Sequence, residues 1–592
     1  MNKVKYYVDK NRKVDSLEEV CLKEYPRPSL RRDSYLCLNG FYEACITKED
    51  KIPTSFPLKV RVPFAIESEA SLVNKTLEKD EYLFYRKHVV LEDSFIKDKV
   101  FLNFDGVDQI ATIYIDNEEV MTHVGGYTKF SVDVTKYGKE FDLVVKVQDL
   151  NDTSYHSRGK QVSSPNGWFY SASSGIYKPV WLESTSSNYI KDVKFITDFD
   201  NKEVKVIITT DEVEEAKVTI LDKEYKFNTI TPYSIKFDEI KAWSPSSPYL
   251  YEVNIKLKED EVDTYFAFRK IEIRDINNVK RVYLNNKPIF LNGLLDQGYY
   301  FIGNLTPLSY EDYLKDIKNI KELGYNTLRK HIKIECDMFY YYADKEGVLL
   351  IQDFPCGGTP YKFLNVVLPR LFASLNDEKH TSYKKLSRED ELGREEFKNE
   401  AFYYLNSLYN HPSIVVYTIF NEGWGQFDSS YFYSLLKEKD PSRLYDTASG
   451  WYEAYRSDFY SLHTYSFPNM KRKNKHNRAY LMSEIGGAAL KVDNHSYFEG
   501  IFGHHLCKDE EKLTRYYKDL YLNTVVSHIK NRGLIGSIYT QIADCEAEYN
   551  GIYSFDREVL KIDSETIKEI NRKIYEVYSS VVKKNAALTS HV

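Results

Sequence analysis

The chain has 592 residues, of which 42% are hydrophobic and 29% are charged, as in an ordinary soluble globular protein. This length excludes a single hydrophobic core, so roughly three or four domains are expected. The net charge of −7 and the pI near 6.1 give no electrostatic reason to expect nucleic acid or an anionic membrane as a partner.

The cysteines and the first residues indicate the cellular compartment. The first ten residues carry charge but no apolar core of a signal peptide, and no stretch approaches the roughly 18 apolar residues of a membrane span. The 7 cysteines are an odd number, scattered and without a C-x-x-C pair, which fits reduced thiols rather than disulfides or a zinc site. We therefore expect a cytoplasmic protein with no cofactor and no metal.

The first two predicted domains are all-β. Over residues 1–186, short runs such as 111–116 and 142–148 alternate apolar and polar positions and are separated by turn residues. This period of two predicts a β-sandwich. Residues 187–274 repeat the pattern with about seven shorter strands, which predicts a compact immunoglobulin-like sandwich.

After residue 275 the rhythm changes to strand followed by helix. Residues 309–323, for example, place Tyr313, Ile317 and Ile320 on one helical face. Strands alternating with helices over about 300 residues predict a (β/α)8 barrel at 275–592. The polar segment 375–398 is predicted to be a solvated insertion after the third strand. The eight apolar runs are 289–295, 325–329, 347–352, 414–420, 444–449, 458–462, 479–483 and 534–540.

Polar residues follow every one of these runs. Active sites of such barrels lie at the carboxyl ends of the strands, so the set as a whole predicts a site there. In strand order the residues are Asp296 and Gln297, Arg329 to His331, Asp353, Asn421 and Glu422, Ser449 and Trp451, His463 and Tyr465, Glu484, and Gln541 or Asp544.

Glu422 and Glu484 each end a buried run, where a carboxylate is poorly placed for stability and well placed for chemistry. Glycoside hydrolysis is the leading chemistry for such a pair. A retaining glycosidase needs one protonated and one ionised carboxyl group, about 5–5.5 Å apart. Neighbouring carboxylates in a partly dry cleft have pKa values that are pushed apart, which permits both states.

An ordered set of motifs along nearly the whole chain resembles glycoside hydrolase family 2, which contains β-galactosidases, β-glucuronidases and β-mannosidases. The barrel motifs include Phe-Asn-Glu-Gly-Trp at 420–424 and Ser-Glu-Ile-Gly-Gly at 483–487. The others lie at 62–69, 85–86, 125–130, 158–161, 174–183, 268–272, 291–293 and 329–333.

The resemblance implies a jelly-roll, an immunoglobulin-like domain and a barrel, in that order. It also implies Glu422 as general acid/base, Glu484 as nucleophile and Asn421 as donor to the sugar 2-hydroxyl. The other predicted substrate-binding residues have open structural alternatives: the histidines could be core residues, Asp353 a turn residue and Trp451 a packing residue. These residues are Asp296, His331, Asp353, Trp451, His463, Tyr465 and Gln541.

The residues after the eighth strand help to predict which sugar the site accepts. β-Glucuronidases carry an Asn-x-Lys there that pairs with the substrate carboxylate, and the matching positions here are Glu548-Tyr549-Asn550. A carboxylate beside Glu548 would be repelled by about a kilocalorie per mole or more. This argues against a glucuronidase, although a lysine from elsewhere could substitute.

The carbohydrate substrate is therefore predicted to be a neutral β-hexoside, with galactoside first. The family's metal-dependent β-galactosidases have further carboxylate and histidine ligands and further C-terminal domains, and the sequence ends soon after the barrel. No metal ligands are therefore carried over. β-Glucuronidase and β-mannosidase activity stay open, as does a non-catalytic carbohydrate-binding role. The two β domains offer surfaces for a homo-oligomer.

Overall fold

Three parts follow one another along the chain: two β-sandwiches and a parallel barrel. The computed structural model describes residues 14, 17–165, 167–362, 376–450, 452, 456–465, 474, 476–498 and 500–589. The predicted order of jelly-roll, immunoglobulin-like sandwich and (β/α)8 barrel is confirmed. None of the helices in these ranges is both long enough and apolar enough to cross a membrane.

The first sandwich consists of two antiparallel sheets that face each other across an aliphatic core. Phe141 and Leu143 of one strand point into this core, whereas Asp142 between them is exposed, as the period of two predicts. The four-stranded sheet contains, in spatial order, Tyr35–Cys37, Val180–Thr185, Lys99–Phe104 and Phe130–Asp133. The six-stranded sheet contains Leu58–Val62, Gly40–Thr47, Tyr82–Val90, Glu140–Gln148, Ile110–Ile115 and Glu118–Val124. Two short pairs add Gln161–Val162 with Tyr170–Ser171, and Gly175–Ile176 with Val107–Asp108.

The second sandwich has the seven short antiparallel strands expected of an immunoglobulin-like domain. Its core is formed by alternate residues such as Val204, Val218 and Ile255. One sheet contains Asp192–Asp198, Glu203–Thr209 and Tyr233–Lys236, and the other contains Lys223–Asn228, Glu215–Ile220, Tyr251–Lys256 and Glu261–Phe266.

A small antiparallel sheet closes the amino-terminal end of the barrel. It consists of Ile271–Ile276, Val279–Leu284 and Lys287–Pro288, and its Val282 packs with barrel residues such as Leu349 in one apolar cluster. The proposed boundary after residue 274 falls inside its first strand. The domain limits 1–186, 187–274 and 275–592 remain predictions.

The barrel contains all eight predicted strands. Backbone hydrogen bonds join them in one parallel series that runs from the fifth strand through the first to the sixth. The fifth and sixth strands meet through Tyr445 O, which accepts from Asp458 N at 3.0 Å, so the barrel is nearly closed. In chain order the strands are Leu291–Asp296, Thr327–Lys330, Leu349–Asp353, Ile414–Asn421, Leu444–Ser449, Phe459–Thr464, Ala479–Gly486 and Leu534–Thr540. A further short pair is Ala488–Ala489 with His505–Leu506.

Helices surround the barrel, and one of them corrects a prediction. Part of the segment 375–398 belongs to the helix Glu391–Ser407, which buries Phe397 and Glu400 and does not form a solvated insertion. Its many charged residues suggested a solvent-exposed segment. Some of them, such as Glu396, instead contact the first sandwich. Within the described residues the α-helices are Tyr310–Glu322, Asp337–Glu346, His380–Lys385, Glu391–Ser407, Ser429–Lys439, Glu510–Leu520, Val526–Arg532 and Ser564–Thr589, with a π-helical turn at Tyr521–Val525.

Candidate active site

Glu422 and Glu484 lie side by side at the carboxyl end of the barrel. Glu422 follows the fourth strand in a left-handed backbone conformation with φ of 51°, and Glu484 lies near the end of the seventh strand. One oxygen of each carboxyl group and one ring nitrogen of His463 all lie within 4.8 Å of one another. This separation is close to the short spacing of a retaining glycosidase and leaves no room for a water between nucleophile and sugar.

Arg329, at the end of the second strand, holds the site together. Its Nη1 donates to Glu484 Oε1 at 3.0 Å, its Nη2 to Asn421 Oδ1 at 2.8 Å, and its Nε to Asp353 Oδ1 at 3.0 Å. The guanidinium is fully buried, so these charge-assisted contacts are dry. The sequence showed Arg329 only as one member of the strand-end set, and its central position was not foreseen.

The surroundings of Glu484 favour its ionised form. Burial alone would raise the pKa of Glu484, but the charges of His463 and Arg329 outweigh it and lower the pKa to about 2. Tyr465 also donates its hydroxyl to Glu484 Oε2. An ionised carboxylate at neutral pH is what a nucleophile of this kind requires.

His463 connects the two carboxyl groups. Its Nδ1 lies 2.7 Å from Glu422 Oε1, while its Nε2 lies 3.0 Å from Ser449 Oγ and 3.4 Å from Glu484 Oε1. The ring is fully buried and therefore fixed, so its contact with Glu422 Oε1 holds that carboxyl group in position. Both ring nitrogens already have protein partners, which favours a positioning role over direct contact with a sugar.

Asp353 and His331 form a second supporting layer. His331 Nδ1 lies 2.8 Å from Asp353 Oδ2, and the other carboxylate oxygen of Asp353, Oδ1, accepts from Arg329 Nε. Burial opposes ionisation of Asp353, but Arg329 and His331 lower its pKa, and burial lowers the pKa of His331. These two residues orient Arg329, and with it Glu484.

Three predicted substrate-binding residues stand apart from this network. Asp296 accepts from Lys330 Nζ at 2.6 Å and from Gly298 N at 2.8 Å, so both of its oxygens have protein partners. Gln541 donates to Asn550 Oδ1 at 2.7 Å and is fully buried. Trp451 lies outside the described residues. Contact of these residues with substrate stays a prediction.

Two sets of residues in the described ranges bring three ligand atoms close enough for a metal ion. One is Glu422, His463 and Glu484, where both ring nitrogens of His463 already have the protein partners described above. The other is His495, Asp556 and Glu558, where His495 Nδ1 lies 2.8 Å from Asp556 Oδ2 and Glu558 is exposed. Neither set is evidence for a bound ion.

One wall of the site comes from the first sandwich and was missed in the sequence. Lys160 extends over the rings of Tyr170 and Trp424, at 4.8 Å and 5.5 Å from their centroids. Tyr170 donates its hydroxyl to Glu548. The available signal was the charged stretch Arg-Gly-Lys-Gln at 158–161, which interrupts a β domain.

Family models match most of the chain in three consecutive pieces. The glycosyl hydrolases family 2 sugar binding domain matches residues 52–186, the family 2 model that follows it matches 188–269, and the family 2 TIM barrel domain matches 271–557. The chain belongs to glycoside hydrolase family 2.

Relatives carry more than one activity. A β-galactosidase from Thermoanaerobacter pseudethanolicus is 30% identical over 309 residues, 47% of this chain and 40% of that protein. A β-glucuronidase from Streptococcus agalactiae is 25% identical over 402 residues, 62% of this chain and 64% of that protein. The chain thus covers less than two thirds of the length of these relatives.

Solved structures share the fold. A β-D-glucuronidase from Dictyoglomus thermophilum superposes with a TM-score of 0.71 at 18% identity, covering 93% of this chain and 98% of that one. A family 2 β-galacturonidase from Eisenbergiella tayi superposes with a TM-score of 0.67 at 17% identity, covering 92% and 97%. At these identities the likeness concerns the architecture alone.

Proposed function

We propose that this protein is a retaining exo-β-glycosidase that works by double displacement, with Glu484 as nucleophile and Glu422 as general acid/base. The observation that carries the proposal is the distance of at most 4.8 Å between oxygens of the two carboxyl groups. The lowered pKa of Glu484 supports its role as the ionised partner.

In the first step a Glu484 oxygen forms a bond to the anomeric carbon, while the bond from that carbon to the aglycone oxygen breaks. Glu422 gives its proton to the departing oxygen. In the second step a water attacks the anomeric carbon and transfers a proton to Glu422, and Glu484 leaves as a carboxylate. Asn421, fixed by Arg329, has an Nδ2 without a partner among the described residues, which suits donation to a sugar hydroxyl.

For the sugar we propose β-galactosides. Glu548 is buried beside the site, and the uncharged glycone of a galactoside avoids its repulsion. The alternative is β-glucuronidase activity, which Lys160 and the names of several relatives favour. β-Mannosidase activity and a binding role without catalysis rank below these two.

A panel of 4-nitrophenyl glycosides tests the proposal. We expect release of nitrophenol from the β-galactoside, with lower kcat/KM for the β-glucuronide and the β-mannoside. NMR of the first product should show retention of the β configuration. An α product, or binding of all the glycosides without turnover, would contradict the mechanism.

We also propose that the enzyme is cytoplasmic and that its two β domains provide surfaces for a homo-oligomer. All seven cysteines are free thiols, which supports the reducing compartment. Fractionation of the source cells and the mass of the native protein in solution test these two points.

A further inference from the structure

A loop of the first sandwich lies directly on the mouth of the barrel. The backbone N–H groups of Arg158 and Gly159 both donate to Cys356 O, at 3.0 and 2.9 Å, and Cys356 follows the third barrel strand. Ser157 also forms a β-bridge with Gly357. The loop is therefore part of the rim of the catalytic site.

Glycine is required at position 159 of this loop. Its φ of 66° is left-handed, and a Cβ there would lie 2.5 Å from Tyr127 Oη and 3.0 Å from Ile332 O. Gln161 on the other side is fixed by hydrogen bonds to Tyr127 at 2.9 Å and Tyr299 at 2.8 Å. The backbone of Lys160 between them is thus held in one place.

The side chain of Lys160 is buried without a polar partner. The residue is only 7% exposed, and its Nζ lies over the Tyr170 and Trp424 rings. Within the part of the chain that the structure describes, this ammonium group makes no hydrogen bond and no ion pair. Buried lysines normally have a polar or charged partner. Because Lys160 lacks one, all three N–H donors of its ammonium group are available to a ligand.

Glu548 is the anionic counterpart of Lys160. It is 5% exposed and accepts from Tyr170 Oη and from Asn550 Nδ2, the latter at 2.9 Å. Tyr170 therefore contacts both residues: its ring packs against the ammonium group of Lys160, and its hydroxyl donates to the Glu548 carboxylate. The charges of Lys160 and Glu484 both act on the pKa of Glu548, which burial raises, so all three groups lie in one region.

The geometry points to Lys160 and Glu548 as specificity-determining residues that bind one glycone hydroxyl remote from the anomeric carbon, Lys160 donating and Glu548 accepting. This inference rests on the proposed function. A hydroxyl group both accepts and donates a hydrogen bond, so a cation and an anion together satisfy it. The pair is neutral as a whole and favours an uncharged glycone, because a uronate carboxylate would face Glu548.

The first test is Lys160→Met, which keeps the length of the side chain and removes the donors. We expect kcat/KM for 4-nitrophenyl β-galactoside to fall by about 10- to 100-fold, mainly through KM. The matched control is Lys59→Met, since Lys59 also lies over an aromatic ring, that of Phe41 at 3.5 Å, but on the exposed outside of the first sandwich. The control should match the wild type.

Deoxygenated substrates separate binding from mere structural support. With the 3-, 4- and 6-deoxy galactosides, the ratio of wild-type to Lys160→Met kcat/KM should collapse to about one for the analogue that lacks the contacted hydroxyl. The same loss on all the analogues, or no loss on any, would overturn the proposal.

A second variant tests the anion. Glu548→Gln should raise kcat/KM for the β-glucuronide or β-galacturonide relative to the galactoside by about 10-fold, because the repulsion disappears. A wild type that prefers the uronide, with Lys160→Met losing only that activity, would overturn the neutral-glycone assignment.

If the wild type hydrolyses no glycoside, the proposed function fails. Calorimetric titration with free galactose still tests Lys160 in that case: a Kd equal in wild type and Lys160→Met overturns the inference.

Discussion

Arg329 donates a 3.0 Å hydrogen bond to Glu484, across the barrel from the second strand to the seventh. Because the same guanidinium also holds Asn421 and Asp353, one side chain fixes the positions of three others. The candidate nucleophile therefore has a fixed position and a fixed charge before any substrate arrives. Such preorganisation means that Glu484 need not be moved or ionised when the sugar binds.

Glu484→Gln removes the proposed nucleophile while keeping the shape of the side chain. We expect kcat to fall at least about 10⁴-fold, because no covalent intermediate can form. Steady-state assays with 4-nitrophenyl β-galactoside measure the loss, and Glu395→Gln on an exposed helix face is the control. Activity of Glu484→Gln near the wild-type level would exclude the assignment of Glu484.

Glu422→Ala removes the proposed proton donor, so its effect should depend on the leaving group. A substrate with a poor leaving group should lose about 10²- to 10⁴-fold in kcat/KM, whereas 2,4-dinitrophenyl β-galactoside, whose phenolate leaves without a proton, should lose much less. Rates across a series of aryl galactosides measure this dependence. An equal loss for every leaving group would contradict an acid/base role.

Tyr465→Phe removes the hydroxyl that Tyr465 donates to Glu484. The pKa of Glu484 should then rise from about 2 by about one to two units, since a hydrogen bond to its charged form is lost. Glu484 must be ionised to react, so the acid limb of the pH profile of kcat/KM should move to higher pH.

The control for this shift is Tyr433→Phe. Tyr433 also donates to a carboxylate, Asp458 at 2.9 Å, but at the opposite end of the barrel strands. Its pH profile should coincide with that of the wild type. If the profiles of both variants coincide with the wild type, Tyr465 does not act on the charge of Glu484.

Glu400→Gln concerns the contact between helix Glu391–Ser407 and the first sandwich. Burial raises the pKa of Glu400 from 4.5 to about 8, with a contribution from the charge of Glu396. Because the folded-state pKa lies above the unfolded one, the carboxyl group stabilises the fold only while protonated. That stability is fully present below pH 4.5 and is lost as the pH rises towards 8.

Replacing this group by an uncharged amide should therefore raise the free energy of unfolding by about 2–4 kcal/mol at pH 8.5 and change it little at pH 4.5. Calorimetric unfolding midpoints at the two pH values measure the difference. Glu395→Gln, five residues earlier on the same helix and exposed, should show no such pH dependence. An equal shift at both pH values would mean that folding does not raise the pKa of Glu400.

The sequence predicted the barrel and the carboxylate pair because both leave local signals. Buried parallel strands are apolar on both faces, so Glu422 and Glu484 stand out at the ends of two such runs. The contacts of Arg329 and Lys160 leave no such signal, since they join residues that are far apart in the chain. The helix at 391–407 was missed for a related reason: its charged residues face another domain, and a sequence pattern cannot distinguish that domain from water.

The loop anchored at Cys356 means that the first sandwich and the barrel both line the same pocket. On the proposed function, the barrel supplies both carboxylates for bond breaking, and a loop of the first sandwich supplies part of the choice of sugar. Evolution can therefore alter the accepted sugar by substitutions near Lys160 without disturbing Glu422 or Glu484. An excised barrel would keep both carboxylates and lose that wall, so the first sandwich is an integral part of the candidate site and not an accessory attached to it.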